Sequence, residues 1–415
     1  MDFPYPRLKL YTTATHYVRA LAGLAVGKCA GGPAVSSLES RVVRDVGAKH
    51  AIAMPFARTG IYLIIKALVR PGQSVILSPY TVSEVINTVI CAGARPVFAD
   101  VDPATCNIDP DAVARLIDDN TGAVLVTHFF GLICDVDAIG ALCKKRNIPM
   151  IEDAAQAYGA HQGGRAAGAF GAAGVFSFNL YKTVTSFTGG MVVTNDDDLA
   201  DRLRHEIAAW PHRSPGAMVK SLASGLITDV ATWRPIYGTA TFRVLRYGFI
   251  NKVDAITNKM KNDVRPILRD VVPESWLHRM TALQAELALP GLDQVEKEMA
   301  ARIERAGRYH EGLKDIKALR LPPWRADGSH SYWYYPLQYK DRYALVSHVL
   351  KRGSDIAVSY HHNCAGLACF SGYGPACPAA EKTASSVIYL PTYPSYPLSQ
   401  VDRLVEDIRS FFHGT

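Results

Sequence analysis

Two acidic side chains and a lysine are spaced for chemistry. The apolar run 148–151 ends in Glu152 and Asp153, within Ile-Glu-Asp-Ala-Ala-Gln-Ala. Twenty-nine residues after Asp153, a second apolar run, 175–178, leads through Asn179, Leu180 and Tyr181 into Lys182. A carboxylate at one strand end and an amine just past a later strand are the two groups that pyridoxal 5'-phosphate chemistry asks of a protein. The amine forms the Schiff base, and the carboxylate keeps the pyridine nitrogen protonated so that the ring accepts electrons. Each has a plainer use: Asp153 as a helix N-cap, Lys182 as a surface residue after a strand.

Positioning these groups requires a rigid sheet. Short β-branched runs at Ser74–Leu77, 96–100, 123–127, 149–152, 174–178 and 191–194 alternate with amphipathic stretches at 59–68, 83–92, 110–118 and Val136–Arg146. Strands apolar on both faces, alternating with helices, predict an α/β fold with a mainly parallel sheet between helices. Such sheets bind ligands beyond the carboxyl ends of their strands, where Asp153 and the stretch 177–182 would lie.

The chain has 415 residues, longer than a single core usually grows, which predicts two domains. After 280 the character changes. A stretch rich in Ala, Leu, Glu, Lys and Arg (280–317) predicts long helices, followed by strands at 332–338 and Val387–Leu390 and helices at Arg342–Arg352 and 399–412. The expected division is a large α/β domain over 1–279 and a smaller α+β domain over 280–415.

Apolar residues at 48% and charged residues at 20% are ordinary for a globular enzyme. The first residues lack a basic region followed by an apolar core, and no window is apolar enough to span a bilayer, so a cytoplasmic location is expected. Eight cysteines without regular spacing predict reduced thiols. The densest group of ligand-type residues, His361, His362, Cys364, Cys369 and Cys377, fits no zinc spacing, so no metal is expected. The net charge of +7 gives no reason to invoke nucleic acid, because most of it sits in residues 208–272. That segment holds ten Lys/Arg against four Asp/Glu, interleaved with Trp210, Trp233, Tyr237, Phe242, Tyr247 and Phe249. It reads as a basic, aromatic-rich helical insertion. It either packs onto the body or a partner subunit, or forms a flap for an anionic or lipid-linked substrate or a membrane surface.

The motifs, taken in order, resemble the DegT/StrS family of pyridoxal-phosphate-dependent sugar aminotransferases, within the fold-type I aspartate aminotransferase superfamily. Residues 93–110, Gly-Ala-Arg-Pro-Val-Phe-Ala-Asp-Val-Asp-Pro-Ala-Thr-Cys-Asn-Ile-Asp-Pro, are similar to one family stretch. Thr127-His-Phe-Phe-Gly131, Glu152-Asp-Ala-Ala-Gln-Ala157, Phe176-Ser-Phe-Asn-Leu-Tyr-Lys182, Arg279-Met-Thr-Ala-Leu-Gln-Ala285 and Leu390-Pro-Thr-Tyr-Pro394 resemble others. The likeness covers nearly the whole chain outside 208–272.

The resemblance implies roles. Lys182 would form the Schiff base and move the proton at the substrate α-carbon. Asp153 would pair with the ring nitrogen and Gln156 would lie near the ring oxygen. Thr59 and Gly60, in Arg58-Thr-Gly-Ile-Tyr, with Ser177, would face the phosphate, and Asn179 would also be among the cofactor-binding residues. The chain also departs from the family. Arg58 replaces a glycine, and Val82, within Tyr80-Thr-Val-Ser, replaces the aromatic that stacks on the ring, with Tyr80 a candidate to compensate. Phe187-Thr-Gly-Gly190 stands for Gly-Glu-Gly-Gly, and Leu277 for an asparagine that reaches the neighbouring subunit's cofactor.

An amino acid, glutamate by resemblance, would convert pyridoxal 5'-phosphate to pyridoxamine 5'-phosphate. The amine would then pass to a keto or aldehyde acceptor, a nucleotide-linked keto sugar in the family, on a homodimer with shared active sites. A non-sugar or lipid-linked acceptor is left open by 208–272. Two other readings are a sugar dehydratase, whose relatives carry histidine in place of Lys182, and a catalytically silent regulator, suggested only by Val82, Thr188 and Leu277.

Overall fold

The computed structural model describes residues 3–257 and 266–413. Seven strands form the main sheet: β1 (His50–Met54), β2 (Ser74–Leu77), β3 (Arg95–Phe98), β4 (Thr121–Thr127), β5 (Met150–Asp153), β6 (Ala173–Ser177) and β7 (Gly190–Thr194). Their spatial order is β1-β7-β6-β5-β4-β2-β3. Strands β6, β5, β4, β2 and β3 pair in parallel, while β7 runs antiparallel to both of its neighbours. Alternate side chains enter two cores. Val75, Leu77 and Leu125 pack on one face, and Ile76, Val124 and Val126 on the other. Burial on both faces accounts for the near-continuous apolar runs in the sequence.

The carboxyl ends of β4, β5 and β6 bring Thr127, Asp153 and Ser177 to one edge. Helix Ala57–Leu68 starts at the same edge because β7 begins there: a Cβ on Gly190 would lie 2.6 Å from the Ala57 nitrogen and 2.7 Å from the Phe56 carbonyl carbon. Gly60 is a close-packing position, where a Cβ would sit 2.7 Å from Val192.

A second, antiparallel sheet follows, with Tyr335–Gln338 (β8), Ala357–Val358 (β9) and Val387–Leu390 (β10) in the order β8-β10-β9. One cluster of buried apolar side chains runs from the main sheet, through Leu77 and Phe130, to Leu337 and Leu390 here. The strand expected over 332–338 starts only at Tyr335. Tyr332 takes a positive φ of 44°, and the Trp333 N–H donates to the Phe130 carbonyl (2.7 Å) and not to a strand. The helical stretch expected over 280–317 is two helices, Ala282–Leu292 and Val295–Leu313. The insertion is helical over Pro215–Thr232 and Phe242–Ile250, joined by Arg234–Ile236 and Tyr237–Thr241. Part of the expected insertion, 258–265, lies outside the described residues.

Candidate active site

Strand alternation separates the two acids of the Glu-Asp pair. The Glu152 carboxylate turns into the structure. It accepts the backbone N–H of Gly168 (2.7 Å), Phe170 (2.6 Å) and Gly171 (2.6 Å) and lies 2.9 Å from His128 Nε2. His128 Nδ1 accepts the Cys134 N–H, so Nε2 carries the proton and donates to Glu152. Asp153, next along the strand, points the other way, and its Oδ1 accepts the Ala155 N–H at 3.1 Å. Burial pushes its carboxyl above the ordinary value, opposed by that hydrogen bond and by the Lys182 charge.

Lys182 lies on the loop between β6 and β7, its N–H donating to the Asn179 carbonyl (2.9 Å). Its ammonium stands 4.2 Å from the Trp333 ring centre. Burial lowers its pKa to about 8, with Asp153 acting in the opposite direction. The amine therefore gives up its proton far more readily than an ordinary lysine, and a reactive neutral fraction is present near neutral pH, as a nucleophile needs.

Arg302 braces this loop. It is buried and donates to Thr183 Oγ1 (3.0 Å), to the Trp333 carbonyl (3.1 Å) and to the Tyr11 hydroxyl. His361 completes the wall opposite Lys182. Burial first, and the Lys182 and His362 charges next, lower its pKa to about 3, so it is a neutral ring. Its Nδ1 bonds the Tyr389 hydroxyl (2.5 Å), and its ring packs edge-on against Phe129 at 4.8 Å.

Arg58, Val82, Gln156, Ser177, Asn179 and Lys182 are all half-buried, as side chains lining an open site are. The side-chain Oε1 of Gln156 accepts the Phe130 N–H (2.7 Å), so its NH2 group is the part left to donate to a ligand. Ser177 Oγ accepts the Asn179 N–H at 3.4 Å, and Asn179 Oδ1 accepts the Leu180 N–H at 2.7 Å. Arg58 lies over the rings of Phe56 and Trp276, 5.3 Å from each centre. Val82 precedes helix Ser83–Cys91 as its N-cap.

Two expected side chains do not reach open space. Thr59 is fully buried and its hydroxyl donates to the Trp276 carbonyl (3.2 Å). Tyr80 has no exposed surface either: its hydroxyl bonds Ser359 (2.8 Å) and its ring packs on Phe129 and His361. Tyr80 thus supports the wall from behind. What is left for an anion is the start of helix Ala57–Leu68, whose first backbone N–H groups lack intrahelical acceptors, beside Ser177 and Asn179.

Trp333, His361 and Arg302 are not marked for this site by their positions in the sequence. The aromatic run Tyr332-Trp-Tyr-Tyr335 is the one local signal for Trp333. His361 stands out only as a metal-type residue. A cavity of about 650 Å³ adjoins Asn179 and Tyr181, between the start of helix Pro215–Thr232 and the stretch 274–278, with Arg213, Lys220, Ser221 and His278 on its walls.

The donor set fits pyridoxal 5'-phosphate: an amine of lowered pKa near a buried carboxylate, and a helix start for an anion beside half-buried polar side chains. The comparisons agree. The DegT/DnrJ/EryC1/StrS aminotransferase family matches residues 13–216 and 259–409. The spore coat polysaccharide biosynthesis protein SpsC of Bacillus subtilis (strain 168) is 31% identical over 394 residues, covering 92% of this chain and 90% of SpsC. GDP-perosamine synthase of Caulobacter vibrioides is 30% identical over 70% of this chain and 65% of its own length. Among solved structures, the sugar aminotransferase CalS13 from Micromonospora echinospora superposes with a TM-score of 0.76 at 25% identity, covering 98% of this chain and 99% of that one. With the amine, the carboxylate and the sheet edge in place, this chain belongs to the DegT/DnrJ/EryC1/StrS aminotransferase family and is a transaminase.

Proposed function

We propose that the chain transfers an amino group from an amino acid, L-glutamate in the first instance, to a nucleotide-linked keto sugar, using pyridoxal 5'-phosphate. The buried Lys182 amine, its pKa lowered to about 8, within electrostatic reach of the buried Asp153 carboxylate is the observation that carries this reading. The bound cofactor supplies an electron sink for the α-carbon of the amino acid. Lys182 Nζ anchors the cofactor, then takes and returns the proton at the substrate α-carbon. Asp153 holds the proton of the ring nitrogen, and its burial strengthens that pairing. Gln156 would offer its NH2 to the ring oxygen, and Val82 would contact the ring face. Ser177, Asn179 and the N–H groups at Ala57, Arg58 and Thr59 would hold the phosphate, whereas the Gly60 N–H is taken by the Phe56 carbonyl (3.3 Å), and Tyr80 steadies the wall behind.

Relatives named as acting on nucleotide sugars support the acceptor: GDP-perosamine synthase, and a dTDP-3-amino-3,4,6-trideoxy-alpha-D-glucose transaminase from Micromonospora megalomicea subsp. nigra. The basic walls of the neighbouring cavity suit a diphosphate. The same reading takes the chain as a cytoplasmic homodimer, each chain a cofactor-binding domain (1–279) and a smaller domain (280–415).

The test is the visible spectrum of the purified protein with added pyridoxal 5'-phosphate, before and after L-glutamate, beside Lys182→Ala. A yellow band that bleaches with glutamate and is missing in the variant is the expected result. A band indifferent to glutamate would redirect the reading to another donor or to a dehydratase, and no band would overturn it.

A further inference from the structure

Helix Pro215–Thr232 is apolar on the side that packs and on the side that does not. Met218, Leu222 and Gly225 face the body, packed with Phe187, Leu283 and Leu287. Its outer row, Val219, Leu226, Ile227 and Val230, is exposed, Ile227 at 69% and Leu226 at 51%. Only Lys220 and Asp229 carry charge in these eighteen residues, and Asp229 is spent inward, accepting from Thr12 (2.5 Å) and Tyr17 (2.6 Å). The row continues into Trp233, 61% exposed, and helix Phe242–Ile250 exposes Val244 and Tyr247, each next in sequence to an arginine, Arg243 and Arg246. A helix on the surface of a soluble protein ordinarily turns polar residues outward.

Basic charge predominates around this face, although Asp254, two residues after Lys252, is exposed as well. Lys220, Arg243, Arg246 and Lys252 are exposed, and none has an ion-pair partner among the described residues. Residues 217–258 fall outside the family match, so the face is a feature of this chain and not of the shared aminotransferase body. No helix among the described residues is long and apolar enough to cross a membrane. An apolar row edged by unpaired basic side chains is the pattern of a helix lying in a membrane interface. A second copy of the chain suits the face poorly, because two-fold pairing would set the same basic residues against each other.

We propose that this face rests on a membrane surface bearing anionic headgroups, with Leu226, Ile227, Val230 and Trp233 entering the interface and Arg243 and Arg246 meeting lipid phosphates. The inference does not depend on the aminotransferase reading, since lipid binding is measured without turnover.

The experiment is sedimentation of the full chain with vesicles of phosphatidylcholine alone or of phosphatidylcholine mixed with phosphatidylglycerol, at low and high salt. Three variants are compared: Ile227→Glu with Trp233→Ser, Arg243→Gln with Arg246→Gln, and Arg146→Gln, exposed at the end of helix Val136–Arg146, as a control elsewhere. Sedimentation with the anionic vesicles only, weakened by salt, is expected. The apolar variant should remove binding, and the charge variant should weaken it by about fivefold for each charge lost. The control should bind as the parent does, and all three should keep the parental circular dichroism and solution mass. Equal sedimentation with both vesicle types, or none with either, would overturn the proposal. A fall in solution mass for the apolar variant would overturn it too, assigning the face to a second copy of the chain.

Discussion

An amine that is to attack a carbonyl near neutral pH must part with its proton, and for Lys182 burial does most of that work. The loop between β6 and β7 carries it under Trp333, where water is scarce, and burial lowers its pKa to about 8 despite the Asp153 charge. Capture of the aldehyde should therefore rise with pH through a midpoint near 8, read from the visible absorption of the protein titrated with pyridoxal 5'-phosphate. Stability carries the same signature. Between about 8 and 10.5 the unfolded chain binds the proton and the folded chain does not, so this residue's contribution to stability improves as pH rises across that window, and its cost is full below it. Lys182→Met should thus raise the stability of the cofactor-free protein at pH 7 by about 1–3 kcal/mol in urea unfolding, with the gain shrinking toward pH 10. Asp153→Asn should lower turnover by about 100-fold or more while the visible band persists, because the uncharged amide cannot hold the ring proton as a carboxylate does. Loss of the band instead would mean that Asp153 organises the fold around Lys182.

At the scale of elements, the sheet edge is a matter of close approach. Gly190 lets β7 pass under the first turn of helix Ala57–Leu68, and a Cβ there would meet the Ala57 nitrogen at 2.6 Å and the Phe176 carbonyl oxygen at 2.9 Å. Gly190→Ala should displace that turn, costing about 1–3 kcal/mol of stability and, separately, weakening retention of pyridoxal 5'-phosphate on dialysis. Much of this layer is legible in the sequence. The β-branched runs of β2, β4, β5 and β6 are buried on both faces, so composition alone marks them. Strand β1 is not, because His50-Ala-Ile-Ala-Met54 has neither a β-branched run nor alternation. Helices Ala14–Ala25 and Pro33–Val46 likewise lie outside the segments that the pattern marks. In the site, Lys182 and Asp153 are legible because each ends an apolar run. The inward turn of Tyr80 and Thr59 is not, since it depends on Ser359 and on the Trp276 carbonyl, both more than 200 residues away in the chain. His361 and Trp333 reach Lys182 only through tertiary packing, which no local pattern records.

The whole molecule is tied together where its three compositional regions meet. Asp355, buried beside β9, accepts the Arg7 backbone N–H at 2.7 Å and its guanidinium at 3.0 Å through one oxygen, with the other 2.7 Å from the same guanidinium. The Tyr237 hydroxyl, from the insertion, donates to the same carboxylate. One acid thus fastens the N-terminal segment, the insertion and the small sheet together, with the site's Lys182 loop braced separately through Arg302. Removing it should act at two levels. Asp355→Ala leaves Arg7 buried without its counter-charge, so global stability should fall by about 3–5 kcal/mol in urea unfolding. It also releases the Tyr237 hydroxyl from the small sheet, so limited proteolysis should cut first within 233–257, under conditions where the parent chain is intact. Tyr237→Phe separates the two levels, because the Arg7–Asp355 pair survives: proteolysis should speed up while the unfolding midpoint moves by no more than about 1 kcal/mol in equivalent stability. Should Tyr237→Phe leave proteolysis unchanged, the insertion is held by its apolar contacts around Phe242 and Phe249, and Asp355 serves the N-terminal segment alone.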